Sequence, residues 1–244
     1  MQLAIVTDMN KCVGCDACQM ACKVWNTSGP NGPMPDLDPW GKNPWVMYWL
    51  KVLHLERGTY PATQTVALPV SCFHCVDPAC VRACPTGAMH KRSDGVVLVN
   101  YDVCVGCRYC VNACPYGNVN FDPLDGIAKK CTLCVDRVYN EELPKYERVP
   151  SCVRVCPTGA RTFGDIDNPH SQARQVIQKH GGFVMGPEFG TQPANHYLPF
   201  RGPSGPGEDW ASETRIEEFA QRTGAVNVVG ESQPATDRQG PAAL

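Results

Sequence analysis

Short apolar runs alternate with polar, glycine-rich and proline-rich stretches along this chain. Gln2 to Asp8 (QLAIVTD) is such a run and predicts a strand. Residues 26–45 are rich in Asn, Gly and Pro and predict an irregular loop. Val46 to Glu56 (VMYWLKVLHLE) is rich in β-formers and partly alternating, so a second strand is expected there. Trp40, Trp45 and Trp49 gather around it, and a packed aromatic patch outweighs a partner-facing surface as their reading. Asp77-Pro78 can start a short helix carrying Cys80 and Cys84. Ala88 to Arg92 and Val96 to Asn100 flank the turn signature Ser93-Asp94-Gly95, which predicts a hairpin. Asn168-Pro169 reads as an N-cap with proline at N1. Ala173, Val176, Ile177 and His180 then recur at helical spacing, and Gly181 closes the helix. From Gly186 the chain is Pro/Gly-rich and poorly periodic. Residues 202–244 hold few large apolar side chains and read as an extended tail, with one short amphipathic turn at Ile216 and Phe219.

Between these elements lie sixteen cysteines in 244 residues. Cys104 to Pro115 reads CVGCRYCVNACP, the bacterial ferredoxin spacing for a [4Fe–4S] cluster. Its fourth cysteine is expected in a short helix, where it serves a neighbouring cluster. A first motif holds Cys12, Cys15, Cys18 and Cys22, and is followed by Lys23 rather than proline. A second holds Cys72, Cys75, Cys80 and Cys84, with the residues VDPA filling its second gap. A fourth is split: Cys131 and Cys134, then a charged insertion expected at the surface, then Cys152 and Cys156. CPTGA occurs at Cys84 and again at Cys156, with CPYG at Cys114, so one turn repeats after the fourth ligand. A disulfide scaffold belongs to short secreted chains. Structural zinc pairs two C-x2-C knuckles, and a C-x2-C-x2-C-x3-C run crowds one thiolate too many for a tetrahedral site. Iron–sulfur ligation remains.

Formal charge is -2, so no basic field points to nucleic acid. Each oxidised cubane with four thiolates adds roughly -2, and four such sites take the chain to roughly -10. Lys23, Arg82, Arg108, Lys129, Lys130, Arg154 and Arg161 stand beside ligands and read as solvated cations before potential-tuning ones. His74 reads as a packed or solvent-facing histidine, since the cysteine set is already complete. No run approaches the ~20 apolar residues of a membrane span, and the N-terminus has no basic region or twin arginine, so no cleaved leader is expected.

Fourth cysteines should be exchanged between motifs. Spacing leaves open whether motif three pairs with two or with four. The nested choice is preferred: Cys12, Cys15, Cys18 and Cys156; Cys131, Cys134, Cys152 and Cys22; Cys104, Cys107, Cys110 and Cys84; Cys72, Cys75, Cys80 and Cys114. The fold expected is α+β and ferredoxin-like, with two nested double-cluster halves. Residues 1–200 form the four-cluster domain: outer half 1–25 with 124–165, inner half 66–123, loop insertion 26–65. Residues 201–244 form the tail.

Four motifs in this order, the last of them split, resemble the iron–sulfur subunits of molybdoenzymes related to dimethyl sulfoxide reductase. CKVWNTSG at Cys22, KKCTLCVDRVY at Lys129, CPTGARTFGDIDNP at Cys156 and PEFGTQPANHYLP at Pro187 look like the iron–sulfur subunit of cytoplasmic sulfite dehydrogenase. The resemblance covers residues 1 to about 200. It implies the nested pairing and an electron wire between a molybdopterin-containing catalytic subunit and a quinone-reacting integral membrane subunit. Respiratory nitrate reductases place tryptophan where this chain has Cys107, so four [4Fe–4S] clusters are implied here. It also implies a peripheral place on the cytoplasmic side of the inner membrane, or a periplasmic one if a twin-arginine partner carries the chain across. Tetrathionate, polysulfide/thiosulfate and dimethyl sulfoxide reductases use similar subunits. From the residues alone there is no P-loop or Rossmann fingerprint and no cysteine left over as a nucleophile. An electron-transfer subunit therefore stands ahead of a catalytic or flavin-linked one, which bound flavin or an open iron site would reveal. It also stands ahead of a free ferredoxin-type carrier, which would be a stable monomer.

Overall fold

The computed structural model describes residues 1–27, 47–61 and 63–199. In chain order it runs β1 (Leu3–Asp8), α1 (Ala17–Asn26), β2 (Leu50–Arg57), β3 (Gln64–Ser71), α2 (Ala79–Arg82), β4 (Met89–Lys91), β5 (Val97–Val99), α3 (Tyr109–Ala113), β6 (Asn120–Asp122), β7 (Ile127–Lys129), α4 (Val135–Val138), α5 (Ser151–Arg154), β8 (Arg161–Asp165), α6 (Gln172–His180) and β9 (His196–Leu198). Trp40, Trp45 and the tail with Ile216 and Phe219 lie outside the described residues.

All six residues of β1 are buried, which explains its unbroken apolar run. It is the centre of a three-stranded sheet, antiparallel to β8 from Leu3↔Asp165 to Thr7↔Arg161 and parallel to β9. Helix α6 covers β8 and β1, setting Ala173 and Ile177 against Val6 and Leu198. Hairpin β2–β3 pairs Leu50↔Ser71 through Arg57↔Gln64. Pro69 is tolerated in it because its partner Val52 donates its N–H outward, to the Gln19 side chain at 2.9 Å, which marks a non-hydrogen-bonded pair. Two small hairpins, β4–β5 and β6–β7, flank the packed pair α2 and α3 around Met89, Val97, Val119 and Ala128. Helices α1 and α5 form the second packed pair. Fully burying Leu50 and Leu68 contributes ~2 kcal/mol each.

Several expectations need correction. The second strand starts at Leu50 and ends at Arg57, and Trp49, buried ahead of it, belongs to the core. Helix α6 is capped by Ser171, whose hydroxyl accepts from the Arg174 amide at 3.1 Å. Asn168 instead closes the preceding turn by accepting from the His170 amide. Helix α2 carries Cys80 but stops before Cys84, and α3 carries Cys110 but stops before Cys114. The insertion of motif four is not wholly at the surface: Arg137 is buried, and the Tyr139 hydroxyl donates to Asp94 at 2.7 Å. Residues after Gly186 contribute Tyr197 and Leu198 of β9 to core shared with earlier elements.

Candidate metal centres

Each cysteine loop bends through a left-handed residue just before its second cysteine: Gly14 (φ 66°), His74 (φ 46°), Gly106 (φ 68°) and Leu133 (φ 53°). That bend brings the thiols on either side to one face of the loop. Two sites use glycine, where the conformation is free. The other two carry strain of ~1–2 kcal/mol that burial holds in place, since His74 and Leu133 are almost wholly enclosed. His74 Nδ1 accepts from the Val97 amide at 3.1 Å. Burial, and then the nearby Lys130 charge, push its pKa well below the usual value, so it is a neutral packed histidine.

The third cysteine of every motif rides on a short helix: Cys18 on α1, Cys80 on α2, Cys110 on α3 and Cys152 on α5. Cys22 stays on α1, which runs on to Asn26, in keeping with the missing proline. The other fourth cysteines leave through the repeated turn, closed by Gly87, Gly117 and Gly159 at positive φ. In the two CPTGA copies this turn aims donors at sulfur. The Met89 and Ala160 amides reach Cys84 and Cys156 Sγ at 3.3 Å, and the Thr86 and Thr158 hydroxyls lie 3.7 Å from them. Burial opposes ionisation of both thiols, but these donors outweigh it and hold both below the ordinary thiol range. Cys114, with Tyr116 in place of threonine, stays raised by burial and by Cys72.

Two cavities show which thiols meet. One is lined by Cys12, Cys15, Cys18 and Cys156, with Arg161 in its wall. The other is lined by Cys84, Cys104, Cys107 and Cys110. In each, the fourth thiol comes from a different motif. The remaining eight cysteines fall into two neighbourhoods. Burial raises Cys22, reinforced by Cys131, Cys152 and Cys134. It pushes Cys131 up to about 12 and Cys134 up to about 11, Cys152 adding to both. Asn26 ties this group together, donating to Cys22 Sγ at 3.6 Å and Cys134 Sγ at 3.5 Å. Burial likewise pushes Cys75 up to about 12 and raises Cys80, with Cys72 and Cys114 adding to both. Cys15 and Cys107 are exposed, whereas Cys22, Cys131, Cys134 and Cys152 are buried.

The buried cations are what sequence reading missed. Arg82, Arg108 and Arg154 are exposed, as expected, and Lys129 is half-buried in a bridge to Asp122 at 2.6 Å. Lys23, Lys130 and Arg161 are not solvated: they are 4%, 1% and 5% exposed. Lys130 Nζ donates to the carbonyls of Val97 and Cys131. Arg161 has no carboxylate partner among the described residues, and its Nε and Nη1 have no acceptor. Burying a cation costs on the order of several kcal/mol unless an anion answers it. The groups that would answer it most strongly when ionised are the thiols of Cys152 and Cys18.

The donor set fits iron–sulfur clusters on these grounds. The thiols gather in four groups, and a buried guanidinium with two nitrogens lacking acceptors lies beside the outer ones. Among the described residues no three His, Cys, Asp or Glu side chains gather tightly enough for a single metal ion. A cubane, with iron at alternate corners, spreads its thiolates wider. Fold and site thus define a ferredoxin-like iron–sulfur protein. Residues 63–166 and residues 11–89 each match the 4Fe-4S dicluster domain family, and with sixteen cysteines two such domains imply four [4Fe–4S] clusters. The sequence is 52% identical to a sulfite dehydrogenase subunit of Allochromatium vinosum over 82% of this protein and 84% of that one. It is 36% identical to a subunit of the anaerobic dimethyl sulfoxide reductase of Escherichia coli over 74% and 78%, and 34% identical to a tetrathionate reductase subunit of Salmonella typhimurium over 80% and 71%. This protein belongs to the family of iron–sulfur subunits of the dimethyl sulfoxide reductase type of molybdoenzymes. No helix among the described residues is long and apolar enough to cross a membrane.

Proposed function

We propose that this chain relays electrons between a molybdopterin-containing catalytic subunit that oxidises sulfite and a quinone-reacting membrane subunit, as a peripheral subunit on the cytoplasmic side of the inner membrane. Each cubane, when bound, takes up and releases one electron. The cysteines hold the clusters in the nested sets: Cys12, Cys15, Cys18 and Cys156; Cys22, Cys131, Cys134 and Cys152; Cys72, Cys75, Cys80 and Cys114; Cys84, Cys104, Cys107 and Cys110. Residues 1–25 with 124–165 then form the outer half, and residues 66–123 the inner half. The observation that carries the ligand sets is Cys156, which lines the cavity of Cys12, Cys15 and Cys18. Crossing-over places neighbouring sites side by side, and Cys131 lies close enough to Cys72 to join the two halves. The order is therefore Cys12 site, Cys22 site, Cys72 site, Cys104 site, and the exposed thiols Cys15 and Cys107 belong to its two ends. The wholly buried thiols of the Cys22 site and the exposed thiol at each end suit a relay between two partners. Sulfite as the electron source rests on the 52%-identical sulfite dehydrogenase subunit.

Two measurements test this. Anaerobic protein should carry about four cubanes per chain by iron analysis, without a [3Fe–4S] signal before oxidative damage. Cys156→Ser should perturb the cluster of Cys12, Cys15 and Cys18. Perturbation confined to the cluster of Cys131, Cys134 and Cys152 would overturn the nested sets. The substrate is read separately: sulfite, added to the purified complex, should reduce the clusters. Reduction by another donor alone would reassign the complex.

A further inference from the structure

We infer that Arg161 sets the potential of the outer pair of clusters, its guanidinium donating hydrogen bonds to sulfur between the Cys12 site and the Cys22 site. The inference rests on the ligand sets proposed above. Four observations carry it. Arg161 is buried, and it lines the cavity of Cys12, Cys15, Cys18 and Cys156. Its Nε and Nη1 have no acceptor among the described residues. The sulfurs whose ionised forms would stabilise it most belong to Cys152 and Cys18, one from each outer site. The chain also holds its own control. The turn CPTGA is followed by Arg161 in the outer half and by Met89 at the same position in the inner half. Both turns direct a backbone amide at their cysteine sulfur at 3.3 Å, from Met89 in the inner turn and from Ala160, one position earlier, in the outer. The turn therefore folds with either residue, and the arginine is not needed to build it.

Reduction adds an electron to a group that is already negative. A fixed cation that also directs N–H groups at sulfur favours the reduced form and raises the potential. The outer pair should then be easier to reduce than it would be with an apolar side chain at position 161.

The test is an EPR-monitored redox titration of the purified complex carrying Arg161→Met, which copies the inner turn, or Arg161→Lys. In Arg161→Met at least one outer signal should become harder to reduce by tenfold or more in equilibrium constant. That is a fall of about 59 mV for one electron. The signals of the Cys72 and Cys104 sites should stay where they were. Arg161→Lys should recover part of the shift, because an ammonium keeps the charge but not the fork of N–H groups. Four retained clusters with unchanged potentials in Arg161→Met would overturn the inference while leaving the ligand sets standing. Should that variant lose an outer cluster, Arg161→Lys decides, and wild-type potentials there overturn the inference. A measurement on the reduced wild-type chain, labelled with ¹⁵N-arginine, is independent of folding. Pulsed EPR should show guanidinium nitrogen coupled to an outer cluster. No coupling, or coupling that persists in Arg161→Lys, overturns the inference.

Discussion

At Gly106 the backbone is left-handed and has no room beside it. A Cβ there would stand 2.2 Å from the carbonyl oxygen of Gly126, a backbone atom that cannot swing aside. Gly87 is also left-handed, at φ 70°, but a Cβ there meets nothing within 4 Å. Gly106→Ala should therefore lose the β6–β7 turn contact as well as the conformational preference, costing ~2–3 kcal/mol, whereas Gly87→Ala should cost ~1 kcal/mol. The midpoint of thermal bleaching of the cluster absorbance reads both, and equal losses would show that strain alone matters. Glycine at positions 14 and 106 was legible in the repeated CVGC. The same bend at His74 and Leu133 was not, because a non-glycine residue adopts it only when burial forces it. Lys23, Lys130 and Arg161 were legible as neighbours of ligands but not as buried ones. Sequence shows that a charge is present, and only packing shows that water cannot reach it.

Among the elements, those with long patterns were readable and those fixed by single contacts were not. Strand β1 announced itself by an apolar run, hairpin β4–β5 by Ser93-Asp94-Gly95, and α6 by its spacing and Gly181. Strand β3 was hidden because Pro69 argues against a strand, and its tolerance depends on a ladder position that only pairing defines. Hairpin β6–β7 and strand β9 are three residues per strand, too short for any period to show. Strand β9 is held less by pattern than by Asn195. Its Oδ1 accepts from the Ile5 amide at 2.8 Å, and its Nδ2 donates to the Cys72 carbonyl at 3.0 Å. One side chain thus ties the central strand to the start of the second cysteine motif. Asn195→Ala leaves a buried N–H and a buried carbonyl without partners, a cost of ~1–3 kcal/mol per group. The expected result is a lower bleaching midpoint together with faster hydrogen exchange at the Ile5 amide. Unchanged exchange there would mean that the amide finds another acceptor.

For the whole molecule, the place where the tail leaves the fold limits what it can do. Strand β9 lies parallel to β1, and the Pro199 carbonyl accepts from Asn10 Nδ2 at 3.0 Å. Asn10 stands two residues before Cys12, so the chain departs beside the Cys12 loop. That loop ends the proposed order of sites, with Cys15 exposed and Val13 67% exposed next to it. Residues 202–244 hold few large apolar side chains and cannot build a core alone. Pro199 beside the Cys12 loop is the basis for expecting a partner of this segment at the Cys12 end rather than the Cys107 end. Truncation after Gly202 should therefore leave all four clusters in place, because every cysteine and β9 precede it. It should weaken co-purification with one subunit of the complex and spare the other. The experiment is a pull-down of the truncated chain with the catalytic and membrane subunits expressed separately, with iron content measured on the same samples. Loss of iron would mean that the tail supports the fold. Equal retention of both partners would mean that the tail bridges nothing, and equal loss of both would place its contact away from the Cys12 end.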